Sequence, residues 1–253
     1  NTKGALPDDL PADGLAVINA DDPRVADWQV RARPTRCLTF GVNCKADYQA
    51  IDLQLKGFSG SNFVLQTPEQ VVEVALNVPG RQGIYNALAA AAVADALGIS
   101  AITIREGLAA VKPAPGRGGV AVLSPDASLI DDTYNANPVA VRAAIDVLAS
   151  EPGRRRLVLG AMLELGLDEE KLHAELGVYA REAGLDELWA VGPEAAPAAV
   201  AFGEGALCFT DTSELITYAP TLRGANTTLV KASRGAQLEV VVNHWLAGGE
   251  GIC

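Results

Sequence analysis

The sequence is poor in the residues that most often announce chemistry: it has four cysteines, two histidines and one methionine, and aromatic residues make up 5% of it. Cys37, Cys44, Cys208 and Cys253 show no paired CxxC spacing, and neither His173 nor His244 stands beside them in a zinc-ligand pattern. All four are read as reduced thiols without a functional role. No apolar run is long enough to span a bilayer, and no basic start followed by a short apolar stretch marks an export signal, so no membrane insertion and a cytoplasmic location are expected. Positive charge is also scarce. The 20 Lys and Arg residues face 31 Asp and Glu, a net charge of −11, and an acidic surface repels phosphate backbones, which argues against nucleic acid as a partner. A monomer is expected. Finally, no GxxxxGK[ST] loop occurs, so these 253 residues lack the backbone cradle and lysine that commonly hold ATP phosphates.

What is present is regular alternation. With 49% apolar residues the chain can bury two ordinary cores. Residues 14–78 read as short strands, at 14–19, 36–41, 46–56, 62–66 and 71–78. An alanine-rich helix is expected over 82–97, stopped by Gly98, and a second over 102–111. The segment 112–116, Lys-Pro-Ala-Pro-Gly, is the best linker candidate. From Val120 onward strands alternate with helices: 129–130, 139–149, 156–160, 169–183, 188–192, 206–209, a short helix from 213, 227–231 and a closing helix from 236. Such alternation implies right-handed crossovers and a parallel sheet covered on both faces, a Rossmann-like domain.

The most informative segment is Leu129-Ile130-Asp131-Asp132-Thr133-Tyr134-Asn135-Ala136-Asn137-Pro138. An apolar run breaks into paired aspartates, then small polar residues, then a proline that opens a helical pattern: strand, turn and helix start. Ligands of open α/β sheets gather at the carboxyl ends of strands, and an aspartate fixed there can accept two hydrogen bonds from a ribose diol. Asp132 is the candidate; Asp132 and Asn137 could equally cap the following helix.

Four further segments accompany it: 78–90 (VPGRQGIYNALAA), 115–117 (PGR), 155–166 (RRLVLGAMLELG, with His173 seven residues on) and 229–234 (LVKASR). Together, in this order, the five resemble the Mur ligase family of cell-wall synthesis, and within it the branch that adds D-alanyl-D-alanine. The resemblance implies an α/β chain made of the rear part of a central ATP-binding domain, a mixed sheet with helices, over residues 1–113, followed by a Rossmann-like C-terminal domain over 114–253 that takes the incoming dipeptide. It implies an ATP- and Mg2+-dependent amide ligase that activates a carboxylate of a UDP-N-acetylmuramoyl-tripeptide as an acyl phosphate and joins it to D-alanyl-D-alanine. On that reading the phosphate loop lies upstream, and this chain alone is expected to be inactive.

The resemblance also implies roles for single residues. Lys3, before a glycine, resembles a lysine that is carbamylated to bridge magnesium, although an ordinary terminal lysine reads the same way. Asn86 matches an asparagine that contacts adenine, while Gln82 and Gly83 depart from the His-Asn pair usual there; a purely structural Asn86 stays open. Arg117, among Gly116, Gly118 and Gly119, matches an arginine that reaches the nucleotide, with a plain surface arginine as the alternative. Tyr134 and Asn137 join the nucleotide-side candidates, Tyr134 packing on base or ribose. Lys231, Ser233 and Arg234 would offer cationic and hydroxyl donors to a dipeptide carboxylate, or form a solvated turn. His173 is either a substrate-side residue or a packed helix histidine. Ala161 and Ala232 stand where aspartate and glycine are usual. Two alternatives remain: a non-catalytic nucleotide- or dipeptide-binding module, and a folylpolyglutamate synthase relative with the same domain plan.

Overall fold

A computed structural model describes residues 8–249, so Lys3 lies outside the described residues. The chain divides into two compact units, Asn1–Val111 and Lys112–Cys253.

In the first unit, β1 (Leu15–Asn19), β2 (Arg36–Gly41), β3 (Tyr48–Leu55), β4 (Ser61–Gln66) and β5 (Val71–Leu76) form one sheet in sequence order. The first three strands are parallel and the last two are antiparallel additions. Helix α1 (Val25–Arg31) was not expected. It carries β1 over to its parallel neighbour β2, a connection that a tight turn cannot make. None of its seven residues is fully buried, and only Val25 and Trp28 pack, partly buried, against Ala16, Ile18 and Ala32, so its apolar stripe is too short for a sequence reading to single out. Helices α2 (Gly80–Ala96) and α3 (Ala101–Ala110) bring Ile84, Leu88, Ile104 and Leu108 onto Phe63, Leu65, Val74 and Leu76 of β4 and β5. Ser100 caps α3 by accepting from the Thr103 amide.

The second unit contains β6 (Gly119–Ser124), β7 (Ala127–Asp132), α4 (Pro138–Ala149), β8 (Arg155–Leu159), α5 (Glu169–Glu182), β9 (Glu187–Val191), α6 (Ala196–Phe202), β10 (Ala206–Phe209), α7 (Thr212–Tyr218), β11 (Thr227–Lys231) and α8 (Glu239–Gly249). The strand order is β10-β9-β8-β11-β7-β6. Five strands are parallel, as the alternation implied, but β6 runs antiparallel at the edge. Only Pro125 and Asp126 separate it from β7, which makes a hairpin the geometric necessity. Every residue of β9 and β11 is buried, the mark of strands covered on both faces. One core packs Leu238, Val241, Val242 and Trp245 against Leu129, Val158, Trp189 and Val230. Strand β11, last in sequence, inserts between β8 and β7. The chain therefore winds outward through β8, β9 and β10 and returns, leaving a switch point between β8 and β11 where a crevice can open at the strand carboxyl ends.

Candidate functional site

Three loops leave the carboxyl ends of β7, β8 and β11 around that switch point: 133–137, 160–168 and 232–238. Buried polar side chains tie them together. Lys231, the last residue of β11 and 4% exposed, donates from Nζ to Asp132 Oδ2 at 2.6 Å and to the Asn135 carbonyl at 2.9 Å. Ser233 Oγ accepts from the Leu163 amide at 3.0 Å and donates to the Ala136 carbonyl at 3.2 Å. The Ser233 amide donates to the Ala161 carbonyl at 2.9 Å. Gly160 faces Ala232 so closely that a Cβ at 160 would lie 2.8 Å from the Ala232 methyl. Alanine at 232 is thus accommodated by glycine at 160.

His173 does not face a substrate position. It is fully buried, its Nε2 accepts from the Met162 amide at 3.0 Å, and its Nδ1 donates to the Glu169 carbonyl at 2.8 Å. Because the acceptor must be unprotonated, this pair of contacts fixes the neutral Nδ1–H tautomer. The substrate-side reading of His173 is therefore corrected: the imidazole shapes the 160–168 loop from beneath. Lys231 and Ser233 are both buried and hold the loops together: two of the three ammonium donors of Lys231 go to Asp132 and the Asn135 carbonyl, and the Ser233 hydroxyl donates to the Ala136 carbonyl. Asn137 is an N-cap, its side-chain oxygen accepting from the Ala140 amide at 2.9 Å, with Pro138 at the first helical position.

The Asp132 side chain keeps 24% of its surface exposed. Its Oδ2 carries Lys231, and a carboxylate has lone pairs left on Oδ1 for a further donor. Burial pushes its carboxyl above the ordinary aspartate value; the charge and hydrogen bond of Lys231 pull it back only in part, Asp131 beside it adds to the rise and Arg117 opposes it.

Asp131, its sequence neighbour, was passed over in the sequence reading and proves to be a hub. Its Oδ2 accepts from the Gly116 amide at 3.1 Å, its Oδ1 from the Thr133 hydroxyl at 2.6 Å, and its carbonyl from the Gly118 amide at 2.7 Å. The Tyr134 amide donates to the Gly116 carbonyl at 3.0 Å. Gly116 has φ +72°, and a Cβ there would sit 3.0 Å from the Tyr134 nitrogen. Gly116 and Gly118, on either side of Arg117, form a turn pinned to Asp131 and Tyr134. Arg117 extends from it over the Tyr134 ring, 4.1 Å from the centroid, and Arg234 approaches the same ring at 5.6 Å. Tyr134 is 42% exposed, and both arginines reach solvent.

The first unit holds a second polar cluster, at the carboxyl ends of β1 and β2. Asp21 accepts from the amides of Val42 (2.8 Å), Asn43 (3.0 Å) and Cys44 (2.6 Å) and from the Tyr85 hydroxyl (2.7 Å). Arg81 donates to Asn43 Oδ1 at 2.8 Å. Asn86 lies one residue beyond Tyr85 on α2, exposed, its amide oxygen accepting from Gln82 Nε2 at 3.3 Å. Gly83 has a steric reason: a Cβ there would lie 3.0 Å from Val78 Cγ1. Asp21 was legible in principle, because Asn19-Ala20-Asp21-Asp22-Pro23 repeats the pattern of a strand breaking into paired aspartates and a proline.

Partial burial pushes the Asp21 carboxyl up, but the four donors outweigh it and hold it well below the usual range. A depressed carboxyl contributes stability that is present above the unfolded value, about pH 4, and is lost as pH falls through that value toward the folded one. Asp21→Asn is therefore expected to cost the first unit about 2 kcal/mol at pH 7 and to flatten the loss of stability below about pH 4. Urea unfolding at several pH values measures both; an unchanged acid slope would show that the network adds nothing.

Among the described residues no group of three or more acidic, cysteine or histidine side chains is arranged to hold a metal ion. No helix among them is long and apolar enough to cross a membrane.

Known proteins agree with this architecture. The family model for the Mur ligase middle domain matches residues 1–94, and that for the Mur ligase glutamate ligase domain matches residues 117–234. The UDP-N-acetylmuramoyl-tripeptide–D-alanyl-D-alanine ligase of Escherichia coli K12 is 39% identical over 244 residues, 95% of this chain and 54% of that protein. The crystal structure of MurF from Acinetobacter baumannii superimposes with a TM-score of 0.83 at 30% identity, covering 97% of this chain and 54% of that one. MurF ligase from Thermotoga maritima, solved in complex with ADP, gives 0.81 at 26% identity, covering 98% and 57%. The chain spans about half the length of these relatives. Matched along both of its units, it belongs to the Mur ligase family, of which it carries the middle and C-terminal domains.

Proposed function

We propose that the protein containing this chain is an ATP-dependent ligase that joins D-alanyl-D-alanine to a UDP-N-acetylmuramoyl-tripeptide. The observation that carries this reading is the gathering of Asp132, Arg117 and Arg234 around the β7–β11 strand ends, in a chain similar over 95% of its length to the E. coli enzyme of that name.

The chemistry divides into two balanced steps. A tripeptide carboxylate oxygen attacks the terminal phosphorus of ATP, forming an acyl phosphate and releasing ADP. The dipeptide amine then attacks the acyl carbon, the carbon–oxygen bond to phosphate breaks, the amine loses a proton, and inorganic phosphate leaves. Both steps spread negative charge over oxygens, so fixed cations and amide donors are what accelerate them. Asp132 Oδ1 is assigned to a ribose hydroxyl and Arg117 to nucleotide phosphate; in the first unit, Asn86 is the adenine-side candidate that the family resemblance implies. On the acceptor side Arg234 is the exposed cation, while Lys231, Ser233 and His173 hold the loops from which it projects. Magnesium and a carbamylated Lys3 belong to the same proposal, as does a cytoplasmic location.

The test is phosphate release by the protein that carries this chain, with ATP, UDP-N-acetylmuramoyl-tripeptide and D-alanyl-D-alanine supplied together and each omitted in turn. Release that requires all three is expected. Binding of nucleotide or dipeptide without any release would instead favour a non-catalytic module.

A further inference from the structure

Arg117 and Arg234 stand on different loops, one before β6 and one after β11, yet both guanidinium groups lie over the single ring of Tyr134, 4.1 Å and 5.6 Å from its centroid. Neither makes an ion pair or a side-chain hydrogen bond with another described residue, although the chain carries an excess of 11 negative charges. Like charges repel, and the Asp132 carboxylate, which interacts electrostatically with Arg117, offsets part of that repulsion. The ring offsets more of it, because its electron-rich face attracts a cation. It is also fixed in place: the Tyr134 amide is bonded to Gly116, which Asp131 holds in turn. Lys231 adds no free charge here, since Asp132 neutralises it at 2.6 Å. What is left is a pair of planar, multiply donating cations that reach solvent and have no side-chain hydrogen-bond partner among the described residues.

We propose that Tyr134 is a positioning residue that holds Arg117 and Arg234 as a paired clamp for a doubly charged phosphate group, and that its ring is not a platform for base or ribose. The proposal rests on the reading of this strand end as a nucleotide site and deepens it. Arg234 then serves the phosphoryl group rather than the dipeptide carboxylate. A guanidinium fork can donate a pair of hydrogen bonds to phosphate oxygens, so the two arginines together can offer up to four donors to a phosphoryl group, whose oxygens each accept more than one.

The experiment compares the full chain with Tyr134→Phe and Tyr134→Leu by titration calorimetry against inorganic pyrophosphate, ADP and adenosine, with thermal unfolding as the check on folding. Tyr134 is largely solvent-facing, so both variants are expected to fold. Tyr134→Leu is expected to weaken pyrophosphate and ADP about tenfold and leave adenosine unchanged, while Tyr134→Phe, which keeps the ring face, stays within about twofold of the parent for all three. An equal loss for adenosine would overturn the proposal by making the ring a base or ribose platform. So would an unaltered leucine variant, or a phenylalanine variant as weak as the leucine one. Uptake of pyrophosphate but not ADP by the parent, with the leucine variant losing it, supports the clamp and removes the nucleotide reading. Uptake of ADP with no dependence on Tyr134 does the reverse, and uptake of neither overturns both.

Discussion

Replacing Lys231 with methionine is expected to destabilise the second unit by about 3 kcal/mol, because it removes one partner of a buried ion pair and leaves the other uncompensated. The lysine is 4% exposed, and its ammonium group is the donor both to Asp132 Oδ2 and to the Asn135 carbonyl. Without it, burial pushes the Asp132 carboxyl still further above its ordinary value. A carboxyl raised in the folded state binds more protons there than in the unfolded state. Stability is therefore fullest below the unfolded value, about pH 4, and falls as pH rises through the folded one. The Lys231→Met penalty should accordingly be larger at pH 7 than at pH 5, and Lys231→Met/Asp132→Asn should recover most of it. Urea unfolding at the two pH values decides the matter. A penalty independent of pH, or undiminished in the double variant, would mean that the lysine acts through packing of its stem and not through charge.

A loss of about 4 kcal/mol is expected for Glu187→Ala, at the opposite end of the same sheet. Arg156 there is 3% exposed, stacked on Trp189 at 3.8 Å, and bonded from Nε to Glu187 Oε2 at 2.6 Å, while the more exposed Arg154 takes Glu187 Oε1 at 2.7 Å. Removing the carboxylate leaves the Arg156 guanidinium with the Arg223 carbonyl as its remaining hydrogen-bond acceptor, at 3.0 Å. Replacing both members, as in Glu187→Leu/Arg156→Met, exchanges the ion pair for apolar packing and should come within about 1 kcal/mol of the parent. Calorimetric unfolding measures both. Because Glu187 and Arg156 lie at the amino ends of β9 and β8, ligand affinity measured well below the melting temperature should not change; a single variant as stable as the parent would show that water already reaches the guanidinium.

The sequence reading succeeded where the signal is local. The helix from Pro138, the strand before Asp131 and the buried strand over 227–231 follow from periodicity, a proline at the first helical position and continuous apolar runs. Helix α1 was missed because its apolar stripe is only Val25 and Trp28, both partly buried, and β6 because the two residues joining it to β7 are not the Asn-Gly type that marks a hairpin. Arg154, Arg155 and Arg156 are consecutive, and the third, read as a strand start, is buried, since β8 turns it onto the face that carries Trp189.

At the site, the strand-and-turn pattern drew attention to Asp132, because strand ends are where sheets of this kind meet ligands, and the family resemblance drew it to Arg117, Tyr134, Lys231, Ser233 and Arg234. What each residue does was a question of partners, and the partners are remote: Lys231 meets Asp132 across 99 residues of sequence, and Ser233 meets Ala136 across 97. Those meetings depend on β11 inserting between β8 and β7, a pairing choice made by the whole sheet and not by any segment of it. The sequence by itself determined the elements, the two-unit architecture and the residues that end up at the crevice, since these depend on short-range apolar rhythm. Only the tertiary structure decided which of those residues are consumed in holding the loops and which are left with free donors, because a hydrogen bond satisfied inside the protein is no longer available to a ligand.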